Sequence, residues 1–264
     1  SDTVVLNRED YRIASIAKSL DKRKIKFFGI NPKLSSLLPS DDDLHKKSVK
    51  NGTPIEADVL LHSFSGTNAV FEINGKKVKT ELKINGIYNV FNAAAALALV
   101  RAIINDETGQ SNIIEALAGV EPAFGRGETL DVNGKPLELI LVKNPSGFRL
   151  GLTSFDPKDY ATMIAINDNY ADGRDMSWLW DVDFSSLVNN GVDQVSGIRA
   201  YDMALRLQYD KVPVRHVDID LKKALNKFLT NSARSPKRIY CTYTAMLEIR
   251  RQLSKIAKVG VGIK

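Results

Sequence analysis

Several features that would assign a function directly are scarce or missing in this chain of 264 residues. It has a single cysteine, Cys241, which excludes an intramolecular disulfide and a zinc site built from several thiolates of one chain. Cys241 lies in the apolar run RIYCTY, so we expect a buried and unreactive thiol rather than a nucleophile. The chain also lacks a glycine-rich phosphate-binding loop that ends in Gly-Lys followed by Ser or Thr.

Charge and hydropathy narrow the function classes further. The formal net charge of +6 comes from dispersed lysines and arginines, with no basic stripe interleaved with aromatics, so we expect no nucleic-acid partner. We find no signal peptide and no long apolar span, which indicates a cytoplasmic protein. Hydrophobic residues make up 44% and charged residues 26%, values typical of a globular chain with room for one large domain or two ordinary ones.

The hydrophobic pattern changes near residue 121, which predicts two domains, 1–121 and 122–264. In the first, three strand patterns follow a polar stretch at about 31–57, which we interpret as a loop or insertion. The last two of these strands are joined by Asn74-Gly75, a strong hairpin signal. A long alanine-rich helix, NVFNAAAALALVRAI, comes next.

The second part alternates strands with helices, and this alternation indicates βαβ units and a mainly parallel sheet covered on both faces. The strand candidates are LELILV (137–142), ATMIAI (161–166), VDQVSG (192–197), VPVRHV (212–217) and RIYCTY (238–243).

An unusually acidic segment, NDNYADGRDMSWLWDVDF (167–184), directly follows the strand candidate ATMIAI and contains both tryptophans of the chain. Ligands of parallel sheets bind beyond the carboxyl ends of the strands, so this position favours a functional site. A structural alternative is that its aspartates cap helices or pair with Arg174. We favour that alternative for Asp168, Asp181 and Asp183.

Three shorter motifs also carry candidate site residues. Asn89 and Asn92 share one helix face, and their amides suit the edge of an adenine, although N-capping by Asn89 alone is commoner. Arg126, flanked by glycines in FGRGE, is either a phosphate clamp or part of a loop salt bridge. Lys143 and Asn144 begin KNPSGF at the end of a strand candidate, where a plain turn is an equally good interpretation.

Together and in this order, these motifs resemble the Mur ligase superfamily of ATP-dependent, amide-forming enzymes of peptidoglycan synthesis. TVVLNRED resembles the Asn-x-Asp-Asp stretch of the central domain, with Glu9 where an aspartate is usual. NVFNAAAALAL is similar to the adenine-contacting segment, FGRGE to the Gly-Arg that opens the C-terminal domain, and KNPSGF to an Asn-Pro turn. NDNYADGRDMSWLWDVDF and SGIRAYDMALRLQY resemble in particular the MurT family, the synthetase subunits of lipid II isoglutaminyl synthase.

The resemblance implies an α/β architecture: the remainder of a central ATP-binding domain in 1–121, lacking its P-loop half, and a Rossmann-like C-terminal domain with a mainly parallel sheet in 122–264. We therefore expect the chain to be part of a longer subunit and to bind ATP weakly, or not at all, by itself. Some relatives carry a four-cysteine zinc ribbon in the central domain. The stretch at about 31–57 has no cysteine, so we expect no metal there.

The implied reaction is amidation of lipid II, the substrate at the membrane surface. ATP with Mg²⁺ phosphorylates the α-carboxylate of the D-glutamate in the stem peptide, and ammonia from a separate GatD-like class I glutaminase displaces the phosphate. The resemblance assigns Asn92, supported by Asn89, to adenine, and Arg126 to the nucleotide phosphate or ribose. Lys143 and Asn144 are the candidates near the acceptor.

For the acidic segment, the resemblance implies that the aspartate after Gly-Arg completes the catalytic centre of the glutaminase partner. That residue is Asp175, with Asp172 as the second choice. Trp178 and Trp180 share a face if the segment is extended and diverge by about 200° if it is helical. We expect one of them to pack in the core and the other to lie at the partner interface.

Two other functions remain open at this point. An amino-acid-adding Mur ligase also carries a Gly-x-Arg-Asp element similar to DGRD here. A non-catalytic nucleotide-binding or scaffolding derivative of the fold is compatible with the missing P-loop.

Overall fold

The structure is a computed structural model that describes residues 2–20, 23–37, 55–84, 86–104, 110–121, 126–154, 158–231 and 236–257. Contacts between residues divide the chain into two compact units, Ser1–Glu121 and Pro122–Lys264. Most of the polar stretch at 31–57, with its acidic run at 41–43, lies outside the described residues, as do Asn85 and the Phe124-Gly125 start of FGRGE.

The first unit is built on a mixed sheet with the order β1-β2-β3-β4-β5. The first three strands are parallel to one another. The three predicted strands after the polar stretch are β3, β4 and β5, which form an antiparallel meander. The hairpin between β4 and β5 turns at Asn74 and Gly75, whose φ angles of 48° and 75° are those of the predicted Asn-Gly turn. The strands are β1 (Thr3–Asn7), β2 (Lys24–Ile30), β3 (Val59–Ser65), β4 (Asn68–Ile73) and β5 (Lys76–Glu81).

The described part of this unit also contains three α-helices, α1 (Tyr11–Ile16), α2 (Ile87–Ile104) and α3 (Gln110–Ala118), and two short 3-10 helices, Ala17–Ser19 and Pro32–Leu37. The predicted alanine-rich helix is α2, which contacts β1, β2 and β3 and buries Val90, Ala94 and Leu97. By length and composition it could cross a membrane, with a mean hydropathy of 1.7 over 18 residues, of which 39% are buried. The expectation that the chain has no long apolar span is therefore wrong for α2.

The second unit contains a sheet with the order β10-β9-β8-β11-β7-β6. Among the described strands, every neighbouring pair is parallel except β6 and β7, which confirms the mainly parallel sheet. Strands β8 and β11 are buried along their whole length, as expected for parallel strands covered on both faces. The strands are β6 (Arg126–Val132), β7 (Lys135–Leu141), β8 (Ala161–Ala165), β9 (Gln194–Ser196), β10 (Val217–Asp218) and β11 (Lys237–Cys241).

Helices pack on both faces of this sheet: α4 (Pro145–Ser154), α5 (Ala200–Tyr209), α6 (Leu221–Asn231) and α7 (Tyr243–Leu253). On one face, Phe228 of α6 and Met246 of α7 join a core cluster with Met163 and Ile239 of the sheet. On the other face, Phe148 of α4 packs on Tyr240 with a ring-centroid distance of 5.4 Å.

Cys241 belongs to the core cluster that contains Phe228 and Met246, and it is fully buried. This confirms the predicted core thiol. Burial, and then the nearby negative charge of Asp172, raise the pKa of this thiol far above its ordinary value. The thiol therefore stays protonated and unreactive at neutral pH.

Three details differ from the sequence predictions. Strand β6 was not predicted; it pairs with β7 through a hairpin at Asn133-Gly134, with φ angles of 55° and 75°. The predicted strand at 212–217 is reduced to the two residues of β10 and an isolated parallel bridge between Val192 and Val214. Helix α4 begins at Pro145, inside the KNPSGF motif, whose composition favours a turn.

Candidate functional site

The candidate site lies at the edge of the second sheet where the carboxyl ends of β8, β9 and β11 meet. These three strands are parallel neighbours, so the segments that follow them lie side by side. The segment after β8 is the acidic loop, residues 167–184, which contains the 3-10 helices Tyr170–Asp172 and Ser177–Asp181. The predicted position of this loop, beyond the end of a buried strand, is confirmed.

Asp172 is a buried anchor of the acidic loop, with 3% of its surface exposed. Its Oδ1 accepts a hydrogen bond from the main-chain N–H of Thr244 at 2.7 Å, and its Oδ2 accepts one from the Thr244 hydroxyl at 2.6 Å. The N–H of Asn169 also donates to Oδ2 at 3.1 Å. Because Thr244 is in the first turn of α7, this carboxylate caps that helix, and both of its oxygens are engaged inside the protein.

Asp168 forms an ion pair with Arg199, which follows β9. Two guanidinium nitrogens, Nε and Nη2, contact Oδ2 of Asp168 at 2.9 and 2.8 Å. The hydrogen bond to Asp168 is the main reason that the pKa of Arg199 lies above its ordinary value. Asp168 therefore has a structural role, as we favoured, but its partner is Arg199 and not Arg174. Arg174 is exposed and forms no ion pair with any residue that the structure describes.

The turn before Arg199 requires glycine. Gly197 has a φ of 93°, and a Cβ at this position would lie against the carbonyl oxygen of Ile166. That close approach lets the Arg199 N–H bond to the same Ile166 oxygen at 2.9 Å. The end of β9 is thereby fixed to the end of β8.

Asp175 presents its carboxylate on the surface. It is exposed, and its Oδ1 accepts a hydrogen bond from the main-chain N–H of Ser177 at 2.8 Å. That main-chain bond, and then a bond from the Ser177 side chain, lower the pKa of Asp175 below its ordinary value. The carboxylate is therefore ionised at neutral pH and oriented by its own loop.

Asp183 makes a closely similar local bond, because its Oδ1 accepts from the N–H of Ser185 at 2.8 Å. Asp183 lies one position before Phe184, the N-cap of the 3-10 helix Ser185–Leu187, and Phe184 makes no side-chain cap. Its bond to Ser185 is therefore a local turn bond next to that helix. Asp181 contributes its main-chain carbonyl, which accepts a bond from Arg149 at 2.9 Å.

The two tryptophans lie in the 3-10 helix Ser177–Asp181, where positions two apart point in different directions. Trp178 is partly buried, and its ring is 6.4 Å from that of Phe148 in an edge-to-face arrangement. Trp180 is 48% exposed and packs edge-to-face on Tyr209 of α5 at 5.0 Å. Trp178 is thus the more buried of the pair and packs against a core residue, whereas Trp180 lies on the surface.

Lys143 and Asn144 follow β7, which is separated from β8 by β11. Lys143 is exposed. The Oδ1 of Asn144 accepts a hydrogen bond from the N–H of Gly147 at 2.7 Å, so Asn144 caps α4. The capping bond gives Asn144 a structural role whether or not it also contacts an acceptor.

The three residues assigned to the nucleotide lie elsewhere in the chain. In α2 of the first unit, Asn89 is buried, with 9% of its surface exposed, and Asn92 is exposed. Arg126 begins β6 of the second unit, opposite Ile140. Over the described ranges, no group of three or more His, Cys, Asp or Glu residues is placed to hold a metal ion.

Sequence reasoning missed the residues that fasten the acidic loop, namely Asn167, Thr242 and Thr244. The N–H of Asn167 donates to the Thr242 hydroxyl at 2.8 Å, and the Asn167 side-chain amide donates to the Thr244 hydroxyl at 3.0 Å. The signal that could have found them is the Thr-Tyr-Thr stretch at 242–244, where Thr242 is the N-cap of α7 and Thr244 lies in its first turn.

Comparison with known proteins gives a family match that includes the acidic loop. Residues 141–246 match the MurT ligase C-terminal family. The MurT subunit of lipid II isoglutaminyl synthase (glutamine-hydrolyzing) from Streptococcus pneumoniae is 32% identical over 200 residues, which cover 74% of this chain and 43% of that subunit. The chain thus spans less than half the length of this relative.

Solved structures show the same fold at lower identity. A pseudomurein peptide ligase type C from Methanothermus fervidus has a TM-score of 0.70 and 16% identity, covering 96% of this chain and 56% of that one. The MurF ligase of Thermotoga maritima, in complex with ADP, has a TM-score of 0.62 and 15% identity, covering 96% and 52%. The fold is therefore that of the Mur ligases. Within that class, the chain belongs with the MurT subunits, to which its sequence and its C-terminal region are similar.

Proposed function

We propose that this chain is part of the synthetase subunit of a cytoplasmic lipid II isoglutaminyl synthase. The substrate is lipid II, met at the membrane surface, and the reaction amidates the α-carboxylate of its D-glutamate. The name of the pneumococcal relative, which includes glutamine hydrolysis, supports glutamine as the source of the ammonia. The single observation that carries the proposal is the exposed, ionised carboxylate of Asp175 on a loop held at a sheet edge.

The nucleotide is ATP. When bound with Mg²⁺, it supplies the phosphoryl group that converts the poor acyl acceptor into an acyl phosphate. The exposed amide of Asn92 offers a donor and an acceptor to an adenine edge, and the buried Asn89 supports it from the preceding turn. Arg126 binds the phosphate or ribose. Mg²⁺ would be held through the nucleotide phosphates; over the described ranges, no group of three or more His, Cys, Asp or Glu residues is placed to bind it.

The acceptor lies near Lys143 and Asn144, at the same sheet edge as the acidic loop. The exposed ammonium of Lys143 attracts the carboxylate that is to be phosphorylated. Asn144 holds the turn beside it through its capping bond to Gly147.

The partner is a GatD-like class I glutaminase with a cysteine nucleophile and a histidine base. Such a histidine needs a third group that fixes its tautomer and orientation. We propose that Asp175 is that group. Its exposure, its lowered pKa and its local hydrogen bond to Ser177 support this role. Asp172, the second choice, is less suitable because both of its oxygens bond to Thr244.

The proposed reaction is tested with the complete subunit, a lipid II substrate, Mg-ATP and either glutamine with the glutaminase partner or ammonium alone. We expect mass spectrometry to show conversion of one carboxyl group to a carboxamide under both conditions. An amino-acid-adding ligase would instead give a product heavier by an amino-acid residue, and a scaffold would give none. Either of these two outcomes would contradict the proposal.

A further inference from the structure

Thr244, in the first turn of α7, holds the acidic loop at three positions. Its hydroxyl accepts hydrogen bonds from the side-chain amides of Asn167 at 3.0 Å and Asn169 at 2.8 Å, and donates to Asp172 at 2.6 Å. A threonine hydroxyl can donate one bond and accept two, so its full capacity is used. The main-chain N–H of Thr244 adds a fourth bond, also to Asp172, at 2.7 Å.

These bonds end three positions before Asp175. After the buried Asp172, the chain turns through Gly173, which has a φ of 88°. It returns to the interior at Met176, which is buried. Only the three residues 173–175 are exposed between these two anchors, so the place of the Asp175 main chain depends on where Asp172 is fastened.

We infer that Thr244 is a positioning residue for Asp175, and that its hydroxyl keeps the acidic loop in the conformation that presents this carboxylate. The inference rests on the role proposed for Asp175. Thr244 itself acts only through the loop and touches no reacting atom. Without the hydroxyl, two amides lose a shared acceptor and a buried carboxylate loses a donor. Leaving buried polar groups unpaired is unfavourable, so the loop would rearrange.

The test measures glutamine hydrolysis by the complete subunit assembled with its glutaminase. Thr244→Val removes the hydroxyl with little change in shape, and Thr244→Ser keeps it. We expect Thr244→Val to lower kcat about ten- to a hundredfold, because misplacing a catalytic group by about 1 Å has effects of this size. The KM for glutamine should not change, since glutamine binds in the partner's site. Thr244→Ser should restore most of kcat.

A second measurement separates positioning from general stability. If Thr244 acts only through Asp175, then adding Thr244→Val to an Asp175→Asn subunit should cause no further loss of kcat. Thr162→Val is the matched control. Thr162 is fully buried in β8, its hydroxyl has no hydrogen-bond partner among the residues that the structure describes, and it lies outside the loop. This control should keep the wild-type kcat.

Wild-type kcat in Thr244→Val, or an equal loss with and without Asp175→Asn, would overturn the inference. If Thr244→Val prevents assembly, Asn169→Ala is combined with Asp175→Asn instead. Asn169 is exposed and supplies only one of the two amides that bond to the Thr244 hydroxyl, so this substitution removes less of the network. If Asp175→Asn alone keeps full activity, the proposed function fails. If Asp175→Asn loses activity and Thr244→Val does not, only the positioning role fails.

Discussion

Arg199 and Asp168, which lie 31 positions apart, join the segments that follow β9 and β8 through two contacts to one carboxylate oxygen. The Asp168 side chain is 15% exposed and that of Arg199 is 41% exposed, so solvent only partly screens the pair. The carboxyl edge of the sheet is therefore fastened independently of Arg174, the residue that the sequence had suggested for this purpose.

Replacing this arginine should reduce the stability of the second unit. We expect Arg199→Ala to lower the free energy of unfolding, because Asp168 is left partly buried without its partner. Arg174→Ala is the control and should change it by less than about 0.5 kcal/mol. Urea unfolding of both variants provides the measurement. Equal effects of the two substitutions would contradict the assignment of the ion pair.

The two tryptophans should separate folding from partner binding. Trp178→Ala removes a ring that packs on Phe148, so we expect a loss of roughly 3 kcal/mol in stability and an unfolded or partly folded protein. Trp180→Ala should stay folded and bind the glutaminase at least about thirtyfold more weakly, as at an interface hot spot. The reason is that Trp180 and its neighbour Tyr209, 69% exposed, lie together on the surface.

Thermal melting and calorimetric titration with the partner check these outcomes. Two folded variants that both bind the glutaminase normally would show that neither tryptophan has its assigned role.

Gly197 should tolerate substitution less well than Gly173, although both have a positive φ. At Gly197 an added Cβ meets the carbonyl oxygen of Ile166, whereas at Gly173 no atom lies within 4 Å of it. We expect Gly173→Ala to cost about 1 kcal/mol of stability from backbone strain alone, and Gly197→Ala to cost more than this. Denaturant midpoints of the two variants give the comparison, and the reverse order would be the contrary result.

These cases show how far local sequence patterns predict this fold. Strand β8 was predicted because ATMIAI is a short apolar and partly β-branched run. Strand β11 was predicted from the mostly apolar run RIYCTY. The β6–β7 hairpin was missed, although Asn133-Gly134 carries the same signal as Asn74-Gly75. Helix α4 was missed because proline and glycine suggested a turn, whereas Pro145 is the first helical residue, a position that suits proline.

The candidate site was only partly predictable, for a different reason. The position of the acidic loop follows from the strand before it, so it could be located from the sequence. The hydrogen-bond partners of its side chains could not be predicted, because Asp168 bonds to Arg199, 31 positions away, and Asp172 bonds to Thr244, 72 positions away. Local spacing carries no information about such long-range pairs.

The pKa of Asp175 is lowered by hydrogen bonds within the acidic loop. The hydrogen bonds from Ser177 favour the ionised form, so a carbon-13 NMR titration should place the pKa of Asp175 below about 3.9, the ordinary value for aspartate. A pKa lowered by folding stabilises the loop at higher pH, and this contribution is lost as the pH falls through the folded-state pKa. Ser177→Ala should raise the pKa only part of the way, since the main-chain donor remains. A wild-type midpoint at or above 3.9 would refute the assigned bonds.

The most direct test of the account compares two aspartates of the acidic loop with matched geometry. Asp175 and Asp183 are both exposed, and each accepts a bond of 2.8 Å from the N–H of a serine two positions later. Asp175→Asn and Asp183→Asn therefore remove one charge each and can keep the local bond. The measurement is glutamine hydrolysis by the assembled complex. We expect Asp175→Asn to lose at least about a hundredfold in kcat, with assembly intact, because an amide leaves the partner's histidine in the wrong tautomer. Asp183→Asn should match the wild type, and full hydrolysis by an intact Asp175→Asn complex would contradict the central claim.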